Sequence, residues 1–324
     1  MNSLSVIDSK DLARLRRAGY AIVGEYKHSA VKTCTWTKNA LCGRGVCYKQ
    51  AFYGIASHRC LQMTPALPFC THSCRFCWRD TTITLPKWKG AVDEPAQIID
   101  ESLAAQRKLL VGFKGNDAAD KKLVKEAFSP NQAAISLAGE PTLYPLLGEL
   151  VREFHKRDFT TFIVTNGTNP QALERLANEN ALPTQLYVSL CAVDEATYRK
   201  TNAPLVKDGW KKLNETLELF TSLKTRRVVR LTLCKNLNLD DAAGYARLIE
   251  KTGAEFVEAK AYMPVGFSRE RLGPAFQPSH DEIMSFAREL SEESGYVLAG
   301  EQRASRVALL CRDDGVAKNR LIKR

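Results

Sequence analysis

The feature that most constrains the fold is a regular alternation of short apolar runs with segments of helical spacing. The helical segments repeat apolar residues three or four positions apart, as in 143–154 and 210–220. The six apolar runs read as strands are Ala66–Phe69, Ala133–Ala138, Thr160–Thr165, Thr184–Leu190, Arg227–Leu233 and Phe256–Tyr262. Six strands joined by helices imply a parallel sheet, because parallel neighbours need crossover connections. The sequence therefore predicts an α/β chain with an incomplete (β/α)6 barrel, open on one side.

Three regions are expected along the chain. Residues 1–65 do not share the strand–helix pattern, and we expect an N-terminal extension that packs across the open side of the barrel. Residues 66–265 are predicted to form the barrel itself. Residues 266–324 are predicted to add a small C-terminal extension, with a helix at Ser279–Glu293 and one or two strands. The tail after Arg312 is polar and basic, and we expect it to be disordered when nothing is bound.

Potential functional residues follow several of the predicted strands. A cysteine-rich loop follows the first strand, Gly139-Glu140-Pro141 follows the second, and Asn166-Gly167 follows the third. Ser189 lies near the end of the fourth strand. Because α/β barrels place their chemistry at the carboxyl ends of the strands, we expect these segments to meet at one rim.

Cysteine is concentrated in one short part of the chain. Seven of the ten cysteines lie between Cys34 and Cys77, and in a reducing compartment such a group indicates metal or redox chemistry. Cys70, Cys74 and Cys77 have the spacing CxxxCxxC. Three thiolates can hold three irons of a four-iron cluster and leave the fourth iron open to a small molecule. A zinc site is the alternative, although structural zinc normally takes four protein ligands.

This loop resembles that of the radical S-adenosylmethionine (SAM) superfamily, whose fold is an incomplete TIM-like barrel. The resemblance implies a [4Fe-4S] cluster on Cys70, Cys74 and Cys77, with SAM bound at the open iron. It also implies that Phe76 lies near the adenine. Ala138-Gly139-Glu140-Pro141 is similar to the motif that meets the amino group of SAM, with Ala138 in place of a glycine. The contacts to the ribose and carboxylate would come from Asn166 and Ser189.

Three further cysteines, Cys34, Cys47 and Cys60, precede the loop at intervals of 13 residues. Together with the loop and the stretches 58–65, 139–145 and 163–167, they resemble the tRNA 4-demethylwyosine synthase family over residues 30–265. The resemblance implies that these three cysteines bind a second [4Fe-4S] cluster, also with an open iron. Cys42 is an alternative fourth ligand that would close this cluster.

The resemblance also implies a reaction. N1-methylguanosine beside the anticodon of tRNA-Phe would condense with pyruvate to give the tricyclic base 4-demethylwyosine. Lys49, two residues after Cys47, would form a Schiff base with pyruvate; chelation of pyruvate by the second cluster is the alternative. Larger family members carry a flavodoxin-like domain, and no such flavin-binding pattern occurs here. We therefore expect the short form of the enzyme, served by a separate flavodoxin, ferredoxin or reductase.

The net charge favours a polyanionic partner such as tRNA. Lys and Arg number 47 against 36 Asp and Glu, a formal charge of +11. Basic side chains bind a phosphate backbone by releasing counterions, and Trp78 or Tyr262 could either stack on bases or simply pack. No apolar run resembles a signal peptide or a membrane span, so we expect a cytoplasmic protein without a membrane partner. A monomer is expected because no helical segment has a second apolar face.

Two other functions remain open from the residues. One is a different radical SAM enzyme with an auxiliary cluster, such as a peptide-modifying enzyme, although those usually carry the extra cysteines after the barrel. The other is a non-enzymatic, zinc-dependent RNA-binding protein that would use Cys34–Cys77 as zinc modules. The second predicts tightly bound zinc rather than iron.

Overall fold

The computed structural model describes residues 5–322, which form one mixed sheet of ten strands in the order β1-β2-β3-β4-β5-β6-β7-β8-β10-β9. The strands are β1 (Ala21–Val23), β2 (Ser29–Val31), β3 (Cys60–Thr64), β4 (Gln132–Ile135), β5 (Thr160–Thr165), β6 (Gln185–Ser189), β7 (Arg226–Leu233), β8 (Phe256–Ala261), β9 (Val297–Gln302) and β10 (Val307–Cys311). Strands β3 to β8 pair in parallel, and the other pairs are antiparallel. Six parallel strands in a sheet that does not close confirm the predicted incomplete (β/α)6 barrel.

Helices cover the outer face of the parallel strands. Leu147, Leu150, Val151 and Phe154 lie on one apolar face and are buried in the main core, as their spacing predicts. Within residues 5–322, no helix is long and apolar enough to cross a membrane. The helices are α1 (Ser9–Arg17), α2 (Thr35–Leu41), α3 (Tyr48–Tyr53), α4 (Pro95–Leu110), α5 (Lys121–Ala127), α6 (Leu147–Lys156), α7 (Pro170–Asn178), α8 (Glu195–Asn202), α9 (Gly209–Leu219), α10 (Ala242–Glu250), α11 (Ser268–Arg271), α12 (His280–Ser294) and α13 (Asp314–Lys318).

The first barrel strand is not where the apolar run predicts it. The strand expected at 66–69 is wrong: these residues form a loop, and the strand is β3, Cys60–Thr64. Pro68 has no N–H to donate to a sheet ladder, which disfavours a central strand at 66–69. In β3, Leu61 and Met63 are fully buried and alternate with Cys60 and Gln62, which line a cavity inside the barrel. Cys60 therefore begins the first barrel strand.

The N-terminal region contributes both to the sheet and to the barrel interior. Strands β1 and β2 extend the sheet beyond β3. Helix α3 places Tyr48, Phe52 and Tyr53 against Phe162 and Tyr187 in a cluster inside the barrel. The division of the chain at residues 65 and 265 stays a prediction, and strands from all three predicted regions share one sheet.

The C-terminal extension contains the expected helix and two strands. Helix α12 begins at an N-cap, Ser279, whose hydroxyl and Glu282 form a reciprocal capping box. The expectation of a disordered tail is wrong for the residues up to Ile322. Asp314–Lys318 form α13, and the backbone N–H of Ile322 donates to the carbonyl of Tyr53 at 2.9 Å. The tail is ordered because its apolar residues pack against the interior cluster.

Candidate active site

A cavity of about 290 Å³ opens at the carboxyl ends of the parallel strands. All of the residues predicted for the first cluster and for SAM line this first cavity: Cys70, Cys74, Cys77, Phe76, Gly139, Glu140, Asn166 and Ser189. They come from the ends of three strands, β4, β5 and β6, and from the loop after β3. Strand order alone brings them together, since the carboxyl ends of parallel neighbours share one rim.

The cysteine loop is fixed by backbone hydrogen bonds to other segments. The N–H of Cys70 donates to the carbonyl of Leu85 at 2.9 Å, and the N–H of Ser73 donates to that of Ala203 at 3.0 Å. The Arg271 side chain donates to three carbonyls of the loop, those of Arg75, Cys77 and Arg79. The loop can therefore hold its thiols in a fixed arrangement.

Glu140 ties the second and third strand ends together. Its carboxylate accepts hydrogen bonds from the hydroxyl of Thr165 at 2.6 Å, from the backbone N–H of Asn166 at 2.7 Å, and from Thr142. Burial raises its pKa, while these hydrogen bonds lower it. The contact between Glu140 and the amino group of SAM stays a prediction, and the hydrogen bonds give this carboxylate a second task, the positioning of Asn166.

The buried thiol of Cys70 and the half-buried thiols of Cys74 and Cys77 lie beside Arg79 and suit a cationic cluster core. Burial raises the pKa of Cys74 well above its usual value, and the neighbouring Cys77 and Cys70 raise it further. Thiolates in such a group are unfavourable unless metal ions neutralise them. Among residues 5–322, no three His, Cys, Asp or Glu side chains converge enough to hold a single metal ion. A four-iron cluster needs less convergence, because each thiolate binds a different iron, so the residues fit a cluster better than zinc.

A second cavity, of about 260 Å³, lies deeper in the barrel. It is lined by all four residues predicted for the second cluster and for pyruvate: Cys34, Cys47, Cys60 and Lys49. Cys34 and Cys47 are the residues that precede α2 and α3, and Cys60 begins β3. Burial, followed by the neighbouring Cys34, raises the pKa of Cys47 to about 11. The donor set is again three thiols, here all half-buried, which fits a second cluster for the same reason as the first.

Lys49 is a buried lysine inside this second cavity. It is 8% exposed, and its Nζ lies 4.3 Å from the ring centre of Tyr187 and 5.1 Å from that of Phe162. Burial lowers its pKa, which Glu258 partly opposes and Arg230 reinforces. A desolvated amine that can lose its proton is a possible nucleophile toward a ketone.

Cys42 lies apart from both cavities. It follows α2 and packs against a small apolar cluster that contains Leu41 and Leu110. The lining of neither cavity includes it. This location favours a free thiol over a fourth ligand for the second cluster.

The two cavities share a wall formed by Trp78, Ser136, Val164, Arg230 and Lys260. Trp78 stacks on Tyr20 with 5.8 Å between ring centres. No sequence motif indicates Arg230, Lys260 or Glu258. Arg230 and Glu258 are paired across β7 and β8. The only available signal was three charged residues within apolar strands, which is unusual for positions that face a barrel interior.

Both cavities and the barrel together define the class of protein: a radical SAM enzyme. Residues 64–249 match the radical SAM superfamily, and residues 251–312 match the wyosine base formation family. The S-adenosyl-L-methionine-dependent tRNA 4-demethylwyosine synthase of Pyrococcus horikoshii is 53% identical over 94% of this chain and 90% of its own length. The chain belongs to the family of S-adenosyl-L-methionine-dependent tRNA 4-demethylwyosine synthases.

Two solved structures support the same family. A structure of TYW1 with a lysine-pyruvate adduct bound is 38% identical, covers 98% of both chains and has a TM-score of 0.85. A crystal structure of archaeal TYW1 is 36% identical, with the same coverage and a TM-score of 0.76. The protein is therefore a SAM-dependent enzyme, and its superfamily implies one [4Fe-4S] cluster. Membership in this family sets aside both the peptide-modifying and the zinc-dependent alternatives.

Proposed function

We propose that this enzyme condenses N1-methylguanosine, beside the anticodon of tRNA-Phe, with pyruvate to form 4-demethylwyosine. The observation that carries the proposal is the shared wall between two cysteine-lined cavities. One cavity contains the residues expected to bind SAM, and the other contains Lys49. A methyl group on the RNA base could then meet both reagents without leaving the barrel.

Cys70, Cys74 and Cys77 would hold the SAM-binding cluster, and Cys34, Cys47 and Cys60 would hold the second. When bound, the first cluster would supply the electron that cleaves SAM, and this cleavage would start hydrogen abstraction from the methyl group of the base. Around it, the Asn166 amide donates to the Thr71 hydroxyl at 2.8 Å and lies 3.9 Å from the sulfur of Cys70. The buried Arg79 side chain keeps a positive charge beside the cluster thiolates.

Lys49 would hold pyruvate as an imine. Its amine nitrogen forms a bond to the ketone carbon of pyruvate, and the ketone oxygen leaves as water. The Tyr187 and Phe162 rings below Nζ exclude water from one side of the amine. The lysine–pyruvate adduct in the similar TYW1 structure supports this arrangement over chelation of pyruvate by the second cluster alone.

The RNA would approach the rim of the barrel. The target base has to leave the stacked anticodon loop to reach SAM. Exposed basic residues follow or adjoin the cavity-lining segments, namely Lys38 and Arg44 beside the second cavity and Arg75 and Arg269 beside the first. These residues could neutralise phosphates while Trp78, which lines both cavities, contacts a base. We propose in addition that the enzyme acts as a monomer and takes electrons from a separate flavodoxin, ferredoxin or reductase.

The test is anaerobic reconstitution followed by two measurements. Iron and sulfide are counted in the wild type, in a Cys70/Cys74/Cys77→Ala variant and in a Cys34/Cys47/Cys60→Ala variant. We expect about eight irons in the wild type and about four in each variant. Methylated tRNA-Phe is then incubated with SAM, pyruvate and a reductant, and only the wild type should form the tricyclic base.

Cys42→Ser is the matched control for these variants. It removes a thiol of the same segment that lines neither cavity. We expect it to keep about eight irons and full activity. About four irons in the wild type, falling to none in the Cys70/Cys74/Cys77→Ala variant, would refute the second cluster. Loss of iron in Cys42→Ser would make Cys42 a ligand.

A further inference from the structure

We propose that Arg230, assisted by Lys260, binds the carboxylate of the ketoacid substrate in the wall between the two cavities. This subsite rests on the proposed function, because it would present the ketone carbon of pyruvate to Nζ of Lys49. It identifies the residues that bind the carboxylate, which imine formation at Lys49 leaves without a partner. An imine fixes one atom of the substrate, whereas a second contact is needed to fix its orientation.

The first argument is the state of the Arg230 side chain. Arg230 lines both cavities, yet within residues 5–322 its guanidinium forms neither a side-chain hydrogen bond nor an ion pair. A guanidinium carries five N–H donors in a fork that matches a carboxylate. A cation with so many free donors inside a barrel indicates that an anion completes the site.

The neighbouring carboxylate, Glu258, forms no ion pair with Arg230 and is held by other partners. Glu258 is fully buried, and one of its oxygens accepts from the Tyr48 hydroxyl at 2.8 Å and the other from the Tyr53 hydroxyl at 2.9 Å. Lys49 is buried, Arg230 and Lys260 are half-buried, and Glu258 is the carboxylate near them. The two tyrosines hold Glu258, so the guanidinium of Arg230 keeps free donors on the wall of both cavities.

Geometry then selects the substrate carboxylate. Of the residues that line the second cavity, the basic ones are Lys49, Arg230 and Lys260. In pyruvate the carboxylate is bonded directly to the ketone carbon, so its partner must lie in the same cavity as the amine that attacks that carbon. Lys260 donates to the carbonyl of Ser305 at 2.6 Å, which leaves further donors of its amine for the substrate.

A selectivity measurement tests this subsite. The reconstituted holoenzyme is incubated with pyruvate or with methyl pyruvate, which carries the same ketone but no carboxylate. The imine on Lys49 is trapped with cyanoborohydride and quantified by mass spectrometry of the Lys49 peptide. We expect the wild type to need less pyruvate than methyl pyruvate for half-maximal trapping, because only pyruvate offers an anion to Arg230.

Arg230→Gln should remove this preference. We expect the half-maximal concentration of pyruvate to rise roughly 10- to 100-fold, as for loss of a charge-assisted hydrogen bond, while that of methyl pyruvate stays the same. Arg230→Lys should recover part of the preference, since it restores the charge without the fork. Equal weakening of both ketones, or no change in either, would overturn the proposal.

Arg226→Gln is the matched control. Arg226 lies on the same strand and the same face, but its guanidinium already donates to Gln185 and to the carbonyl of Arg320. This variant should lose stability and keep the ratio between the two ketones. SAM binding is measured in parallel by equilibrium dialysis. If Arg230→Gln weakens SAM binding and leaves the ratio unchanged, Arg230 serves SAM instead and the proposal is refuted.

A wild type that traps no pyruvate would refute the lysine step of the proposed function and not yet the subsite. Equilibrium dialysis then compares the binding of radiolabelled pyruvate by Lys49→Met and by Lys49→Met/Arg230→Gln. This comparison tests the carboxylate subsite without the lysine step. Weaker binding by the double variant supports the carboxylate subsite. Equal binding by both variants overturns it.

Discussion

The backbone N–H of Asn166 donates to a carboxylate oxygen of Glu140 at 2.7 Å. Asn166 follows β5 and Glu140 follows β4, so this hydrogen bond joins the ends of two neighbouring strands at the rim. The Asn166 amide in turn reaches the Thr71 hydroxyl in the cysteine loop at 2.8 Å. Two hydrogen bonds therefore connect the end of β4, the end of β5 and the cysteine loop.

Glu140→Gln should weaken this connection. The side-chain N–H₂ of glutamine would face one of the N–H or O–H groups that now donate to the carboxylate. Two buried donors would then face each other without an acceptor. We expect the free energy of unfolding to fall by about 1–3 kcal/mol and SAM to bind less tightly. Urea unfolding and equilibrium dialysis would measure the two effects. Glu149→Gln, at an exposed position of α6, should change neither; an unchanged Glu140→Gln protein would contradict the positioning role.

Gly139 has no room for a side chain, in contrast to its neighbour Ala138. Its φ is +71°, and a Cβ there would lie 1.8 Å from the carbonyl oxygen of Ala66. Gly139→Ala should therefore cost about 3 kcal/mol or more, because the obstacle is backbone that cannot move aside. Ala138→Gly, which restores the glycine of the related motif, should cost only about 0.4–1 kcal/mol. Thermal unfolding of both variants compares them, and similar midpoints would contradict the close packing.

The rim of the barrel could be predicted from the sequence because each motif follows its own strand directly. Cys70, Gly139 and Asn166 needed only the parallel order of the strands to be placed together. The first strand was misplaced because an apolar run was read as a strand despite Pro68, whereas β3 is marked by alternation. Arg230 and Glu258 could not be found in this way. Their role depends on cross-strand register and on the cavities behind it, which no local pattern encodes.

Arg271 should support the first cluster and not the second. Its guanidinium donates to the carbonyls of Arg75, Cys77 and Arg79, all in the cysteine loop. Arg271→Met leaves these carbonyls without a partner, so we expect iron to fall from about eight toward about four per chain. Arg269→Met removes the same group from an exposed position of α11, where it binds the carbonyl of Pro264, and should keep its iron. Equal iron in both variants would remove Arg271 from the support of the loop.

Arg44 and Arg75 should contribute to RNA binding. Both are exposed; Arg75 lies between Cys74 and Phe76, which line the first cavity, and Arg44 precedes Cys47, which lines the second. Arg44→Ala/Arg75→Ala should weaken tRNA binding. The slope of log Kd against log salt should fall by the amount expected for the loss of about two phosphate contacts. Lys224→Ala is the control, because Lys224 lines a separate groove of about 980 Å³ at the amino ends of β6–β8. The rim would not be the RNA surface if Lys224→Ala weakened binding as much as the double variant.

Lys260 should titrate near neutral pH. Burial, reinforced by the positive charge of Arg230, lowers its pKa from 10.5 to about 7, and Glu258 only partly opposes this shift. The unfolded chain then holds one more proton than the folded chain between these two pKa values, so this lysine makes stability rise with pH from about 7 to about 10.5. Below pH 7 both states are protonated, and Lys260 makes no further change with pH.

Trace acylation at a series of pH values measures this titration directly. The amine reacts only when it is unprotonated, and Lys260 lines both cavities, where a small reagent can reach it. Mass spectrometry should show half-maximal reactivity of Lys260 near pH 7. A free lysine derivative added to the same reaction should reach half-maximal reactivity more than two units higher, near the ordinary lysine value of about 10.4. In Arg230→Gln the Lys260 midpoint should move upward, since one of the charges that lowers its pKa is gone. An unmoved midpoint, or a Lys260 that titrates with the free lysine derivative, would mean that the two basic residues of the shared wall do not act on one another.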